Sequence, residues 1–186
     1  MTSDEVATRA LDAIVASGVR FMVTGSFARN MYALPRSTKD IDFVVESPDF
    51  ALGQVAKLLG PDFQMDDQVY FETITGTTRY VIRHRHSTFV VEFFLLSDDA
   101  HDHERFRRRR HVQVLGREVF VATPEDVVIA KVRWSDRGRR PKDRQDAMDV
   151  IALQSNRLDW RYIRHWCVEH GTLELLEQVR SELKMQ

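Results

Sequence analysis

The run Phe89-Val90-Val91-Glu92-Phe93-Phe94-Leu95-Leu96 constrains this chain more than any other segment. Seven large apolar side chains in eight positions, rich in β-branched and aromatic types, demand a strand with a hydrophobic core against it. The carboxylate in the middle is the anomaly, since a strand of that composition seldom keeps an isolated charge without a partner. Two kinds of partner stand open: an arginine such as Arg83 across an edge strand, or a metal site shared with acids from elsewhere in the chain.

The remaining periodicities place that strand in a mixed architecture. Thr2 and Glu5 form a capping-box pattern, followed by Val6, Leu11, Ile14 and Val15 at helical spacing and a stop at Gly18. Arg20 to Thr24 reads as a short apolar strand, Gly25-Ser26 as a tight turn, and Phe27 to Ala33 as a helix ended by Leu34-Pro35. Ile41 to Val45 has strand composition. After Pro48, Asp49 opens an amphipathic helix carrying Phe50, Leu52, Val55, Leu58 and Leu59. Three stretches, Val69 to Ile74, Arg79 to Arg83 and Thr88 to Leu96, predict adjacent antiparallel strands, and Val112 to Val121 predicts a hairpin around Gly116-Arg117.

Thr123-Pro124-Glu125-Asp126 is a helix start, with a capping threonine, a proline suited to the first turn and acids at the positive end of the dipole. Helical spacing then continues through Asp143 to Leu153, Trp160 to Glu169 and Leu173 to Leu183. The expected fold is α/β in the α+β sense: a mixed β-sheet core flanked by helices over residues 1–122, and a C-terminal helical segment, 123–186, packed on it.

At 186 residues the chain suffices for one ordinary domain, or for a catalytic domain with a short helical extension, and buries enough surface to need no disulfide. A net charge of -1 gives no global attraction to nucleic acid or to an anionic membrane, so any electrostatic targeting is local. One cysteine, Cys167, forms no internal disulfide, and with neither a leader pattern nor a long apolar stretch the expectation is a cytoplasmic protein without a membrane partner.

Asp40 and Asp42 sit two apart where a loop enters a strand, so the strand period places both carboxylates on one face. Two like charges that close need compensation. Magnesium suits them, because it prefers hard oxygen ligands and shares its remaining positions with phosphates and water. Upstream, the amides of Gly25-Ser26 and the helix they open can point at a phosphate, with the Ser26 hydroxyl adding a hydrogen bond. Glu92 is the third acid.

This order resembles the nucleotidyltransferase superfamily with the DNA polymerase β-like fold: Gly-Gly/Ser after a strand, Asp-x-Asp on the next, and a third acid on a later strand. Closer still is the similarity to AbiEii-like and MenT-like bacterial toxin nucleotidyltransferases. It is carried by Val23-Thr24-Gly25-Ser26-Phe27-Ala28, Arg36-Ser37-Thr38-Lys39-Asp40-Ile41-Asp42, Thr123-Pro124-Glu125-Asp126, Lys131 and Lys142-Asp143-Arg144-Gln145-Asp146, over residues from about 20 to 153. The resemblance implies that Gly25 and Ser26 hold a nucleoside triphosphate, that Asp40, Asp42 and Glu92 bind two magnesium ions, and that Glu92 doubles as a base. It implies further that Lys131 neutralises phosphate while Asp146 fixes Lys131 or the nucleotide.

The activity so implied is transfer of a nucleoside monophosphate to an acceptor by the toxin of a toxin-antitoxin pair, with RNA such as tRNA as acceptor and an antitoxin protein as partner. Alternatives are a small-molecule, antibiotic-type nucleotidyltransferase and a nucleotide-binding or interaction module without catalysis. Two departures stand out: glutamate where such toxins commonly carry aspartate as third acid, and Thr24 where many members carry a first glycine. A structural salt bridge between helices remains the other reading of Lys131 and Asp146.

Arg107 to Arg110 with His111 is the densest basic run, and it reads as a solvated face set against Asp98, Asp99, Asp102 and Glu104. Arg133 with Arg137 to Lys142 is the better candidate for contact with phosphate. His101 and His103 read as part of a mobile polar loop without zinc-site spacing. Trp134, Trp160 and Trp166 read as packing anchors, and Cys167 as inert.

Overall fold

In the computed structural model, which describes residues 1–46, 49–137 and 140–185, the chain folds as α1 (Ser3–Ala16), β1 (Arg20–Thr24), α2 (Gly25–Arg29), β2 (Asp40–Glu46), α3 (Asp49–Leu59), β3 (Phe63–Met65), β4 (Tyr70–Glu72), β5 (Thr77–His84), β6 (Val90–Leu95), α4 (Ala100–Arg108), β7 (Arg110–Val114), β8 (Arg117–Val121), α5 (Pro124–Arg137), α6 (Pro141–Gln154), α7 (Trp160–Glu169) and α8 (Leu173–Met185). Pro48 and the stretch 138–139 of the basic group lie outside the described residues.

The strands form one mixed sheet in the order β3-β5-β6-β2-β1-β8-β7, with β4 also paired to β5. β2 runs antiparallel to β1 and parallel to β6, β5 is antiparallel to β6, and β8 is parallel to β1. The mixed α/β expectation therefore stands. Alternation divides the two central strands between two environments. Ile41, Phe43, Val91 and Phe93 are buried on one face, where Phe43 and Phe93 stack at 5.2 Å, while Asp40, Asp42, Glu92 and Phe94 look into a cleft on the other.

Local chemistry accounts for the element ends. Thr2 and Glu5 satisfy each other's backbone amides in a capping box on α1, and the Thr123 hydroxyl accepts the Asp126 amide at 3.2 Å where α5 begins. The helix expected over Phe27 to Ala33 starts earlier and stops sooner. Gly25, at φ +62°, lets the chain turn straight into α2, and after Arg29 the Asn30 side chain bridges to the Arg36 backbone in both directions, reversing the chain.

Two elements were not foreseen: the short strand β3, and α4 in the segment expected to be a mobile loop around His101 and His103. Asp99 caps α4 by accepting the His101 and Asp102 amides. The buried face of α4 is polar, made of His101, Asp102 and Arg105 with Phe106, so no apolar period announced it. His101 meets Asp126 at 3.1 Å, and burial holds its imidazole below the usual histidine range.

One hydrophobic core runs from α1 through the sheet to Val127, Val128, Val132, Ile163, Leu176 and Val179 of the later helices. Cys167 lies within it, and burial pushes its thiol up to about 11. Among the described residues no helix is long and apolar enough to cross a membrane. Phe93→Ala is expected to cost about 3–5 kcal/mol, because it empties the stacked pair at the sheet's centre; urea unfolding measures it.

Candidate active site

A cleft of about 510 Å³ opens over the sheet, walled by β1, β2, β5 and β6 on one side and by α5 and the start of α6 on the other. Register assembles its acidic floor. Thr24 pairs with Asp42 across β1 and β2, and Asp42 pairs with Glu92 across β2 and β6, so the three stand in one row on neighbouring strands. Strand spacing of about 4.8 Å and the common face bring Asp40, Asp42 and Glu92 together. The Thr38 hydroxyl donates to Asp40 at 2.6 Å.

Gly25 is fitted against this row. A Cβ built on it would lie 1.8 Å from Oδ2 of Asp42, so the absence of a side chain is what allows the turn and the carboxylate to occupy adjoining space. Ser26 lies beside it and accepts from Nη2 of Arg36 at 3.1 Å. α2 is only five residues long, so its dipole adds little; the turn amides are the useful donors.

Electrostatics mark the floor as short of positive charge. Burial, then the charges of Asp40 and Glu92, hold the Asp42 carboxyl well above the usual carboxylate range. Glu92 is raised as well, by burial first and by Asp40, although Nη1 of Arg79 sits 3.3 and 3.4 Å from its two oxygens. The arginine beside Glu92 is thus Arg79, not Arg83, which reaches outward to Asp66; β6 is an interior strand, and only its cleft face is open to a partner. Hard oxygen donors on one face with too little compensating charge suit a divalent cation, although their ligand atoms do not all lie within 4.8 Å of one another.

The opposite wall is cationic and tied to two buried acids, Asp143 and Asp146. Nζ of Lys131 lies 2.7 Å from Asp143 and 2.9 Å from Asp146. Arg36 grips Asp146 through Nε at 2.8 Å and Nη2 at 2.6 Å, and Arg29 adds a contact at 3.3 Å. Burial would raise the Asp146 carboxyl, but Arg36 and Lys131 overcome it and hold it below the usual range. Asp146 is 1% exposed and does not line the cleft; it sits behind Lys131 and positions it.

Gly25, Ser26, Asp40, Asp42, Glu92 and Lys131 therefore line one cleft. Sequence reasoning gave no role to Arg36, Thr38, Arg79 or Asp143, and only a general one to Arg140 and Lys142, which line the cleft. Asp143 and Asp146, three apart on a helix and both facing a lysine, were a legible sign. Trp134 is a correction: it lines the cleft rather than anchoring packing, with the Arg140 guanidinium 5.2 Å from its ring, whereas Trp160 and Trp166 pack on the core.

The basic run Arg107 to Arg110 is a second correction, because it is not one solvated face. Arg107 pairs outward with Glu104, Arg108 covers the Tyr162 ring at 3.8 Å, and Arg109 lies over Phe106. Among the described residues, the group of three whose possible ligand atoms all lie within 4.8 Å of one another is Asp99, His101 and His170, outside the cleft. Each acid at that junction already faces an arginine: Asp99 meets Arg133 at 2.9 Å, Asp102 meets Arg105 at 2.6 Å, and Asp126 meets Arg108 at 3.7 Å.

No protein-family profile matches the chain, and no curated protein matches it by sequence. Its fold is that of the nucleotidyltransferases. The antibiotic-resistance factor ANT(2'')-Ia superimposes with a TM-score of 0.60 at 13% identity, over 98% of this chain and 100% of that one. An antigenic nucleotidyltransferase-like protein from Paracoccidioides brasiliensis superimposes with a TM-score of 0.58 at 17% identity, over 99% and 94%.

Two outcomes follow from the packed floor. Because the Asp42 pKa is raised in the folded state, its ionisation weakens folding as pH rises from 3.8 through that higher value. Asp42→Asn is therefore expected to raise the urea midpoint of the metal-free protein at pH 7.5, with the gain closing toward pH 4. Gly25→Ala is expected to lose about 1–2 kcal/mol through its left-handed backbone alone, and more because the methyl displaces Asp42, as measured by urea unfolding.

Proposed function

We propose that the protein is a magnesium-dependent nucleotidyltransferase that moves a nucleoside monophosphate from a nucleoside triphosphate to an acceptor hydroxyl and releases pyrophosphate. The observation that carries this reading is the row Thr24, Asp42, Glu92 beside Gly25, with Asp40 on the same face and Lys131 across the cleft.

The labour divides between the two portions of the chain. Residues 1–122 supply the acids and the turn, and the helical segment 123–186 supplies Lys131, Arg140 and Lys142. Asp40, Asp42 and Glu92 would hold magnesium, two ions in the full arrangement, which would stabilise charge on the attacking and leaving oxygens. Gly25 and Ser26 receive phosphate oxygens through amides and a hydroxyl, and Lys131, held by Asp143 and Asp146, balances phosphate charge from the opposite wall. Glu92, with its raised pKa, is suited to accept the proton of the acceptor hydroxyl.

The setting we favour is the toxin of a toxin-antitoxin pair acting on RNA such as tRNA in the cytoplasm, on the strength of the sequence pattern around Gly25, Asp40, Thr123 and Lys142. A second reading, transfer to an antibiotic-type small molecule, draws on the match in fold and length to ANT(2'')-Ia. Incubating the protein with labelled triphosphates, magnesium and either total RNA or an aminoglycoside separates these readings. RNA labelling is expected; labelling of the aminoglycoside alone supports the second, and no transfer to any acceptor leaves a binding module. Asp42→Ala and Asp40→Asn are each expected to cut transfer by roughly a thousandfold or more, with circular dichroism unchanged.

A further inference from the structure

We propose that Arg79 reads a negative charge on the acceptor, so that the acceptor is a phosphate-bearing molecule, an RNA end or a nucleotide, and not a polycationic amino sugar. The inference rests on the nucleotidyl-transfer reading above and follows from the order of the strands. In-line displacement at the α-phosphorus requires the attacking oxygen and the departing pyrophosphate on opposite sides of it. Gly25 and Ser26 follow β1, Asp42 is on β2, Glu92 on β6, and β5 lies beyond. With the triphosphate's leaving end on the β1 side, the acceptor arrives over β6 and β5.

That side of the cleft is built for an anion. Its lining is Thr75, Thr77, Arg79, Glu92 and Phe94, and the one acid among them, Glu92, already faces Arg79. The nearby acid Glu72 is turned into its own loop, accepting the Thr75 amide at 2.8 Å. No carboxylate among the described lining residues on that side is left for an ammonium group. Arg79 is held ready: its guanidinium lies over the Tyr70 ring at 4.8 Å from the centroid. The Arg79 side chain keeps 31% of its surface exposed, so part of its guanidinium faces the cleft. A planar, partly exposed guanidinium beside the attacking position suits a phosphate oxygen.

The test measures KM and kcat for three acceptors, a short single-stranded RNA, a mononucleotide and the uncharged nucleoside, in wild type, Arg79→Gln and Arg79→Lys. A parallel titration follows RNA binding against salt with calcium replacing magnesium. Arg79→Gln is expected to raise KM about tenfold for the phosphate-bearing acceptors and leave the KM of the nucleoside unchanged, while any change in kcat from the lost partner of Glu92 is common to all three acceptors. The slope of log affinity against log salt is expected to fall by about 0.7 for one lost phosphate contact, with Arg79→Lys between the two. Whether RNA or the mononucleotide responds identifies the source of the phosphate. Equal loss for charged and uncharged acceptors, an unchanged salt slope, or preference for an aminoglycoside overturns the proposal. Triphosphate binding measured alone on wild type separates the two failures: its absence overturns the nucleotidyl-transfer reading and this inference together.

Discussion

The parallel, in-register pairing of β2 with β6 is the constraint around which the rest of the cleft is arranged. It sets Asp42 beside Glu92 on a face that already carries Asp40, so the sheet presents three half-buried carboxylates to one cleft. An apolar strand pair could have closed this surface as a second core. Instead Phe43 and Phe93 fill the opposite face, and the acids leave an electrostatic demand that a proton or an outside cation can meet.

Positive charge is supplied from the other wall by a different device. Asp146, buried where α6 meets α2 and α5, draws Arg29, Arg36 and Lys131 to one point. Such a charged knot is costly to bury, and its return is geometric: it fixes where Lys131 and Arg36 stand relative to Ser26 and Asp40. A flexible lysine becomes a placed charge. The helices thus contribute to the cleft as much as the sheet does, and a core continuous across both keeps them in register.

Most of the architecture was legible because it is written in hydrophobic period and turn chemistry. The bounds of β1 and α7, the capping box at Thr2 and the hairpin around Gly116 needed no tertiary information. The acids Asp40, Asp42 and Glu92 were legible for a related reason, since each interrupts or abuts an apolar run. What escaped was encoded in pairs distant along the chain. α4 has no apolar stripe; its inward face is His101, Asp102 and Arg105, satisfied by Asp126, Ser97 and Thr24 from other elements. Arg79 and Arg83 alternate on one strand with equal claim on Glu92, and only the register and the position of Asp66 decide between them. Trp134 looked like its two fellow tryptophans until the start of α6 brought Arg140 across its ring.

The solitary thiol in the helical portion has a practical use. Cys167 faces inward from α7 among Ile163, Leu176 and Val179, sealed from solvent and with its acidity suppressed by burial. Any alkylating reagent must wait until that helix detaches from its neighbours. The modification rate of one residue therefore clocks how often α7 breathes away from α5 and α8, without any engineered label.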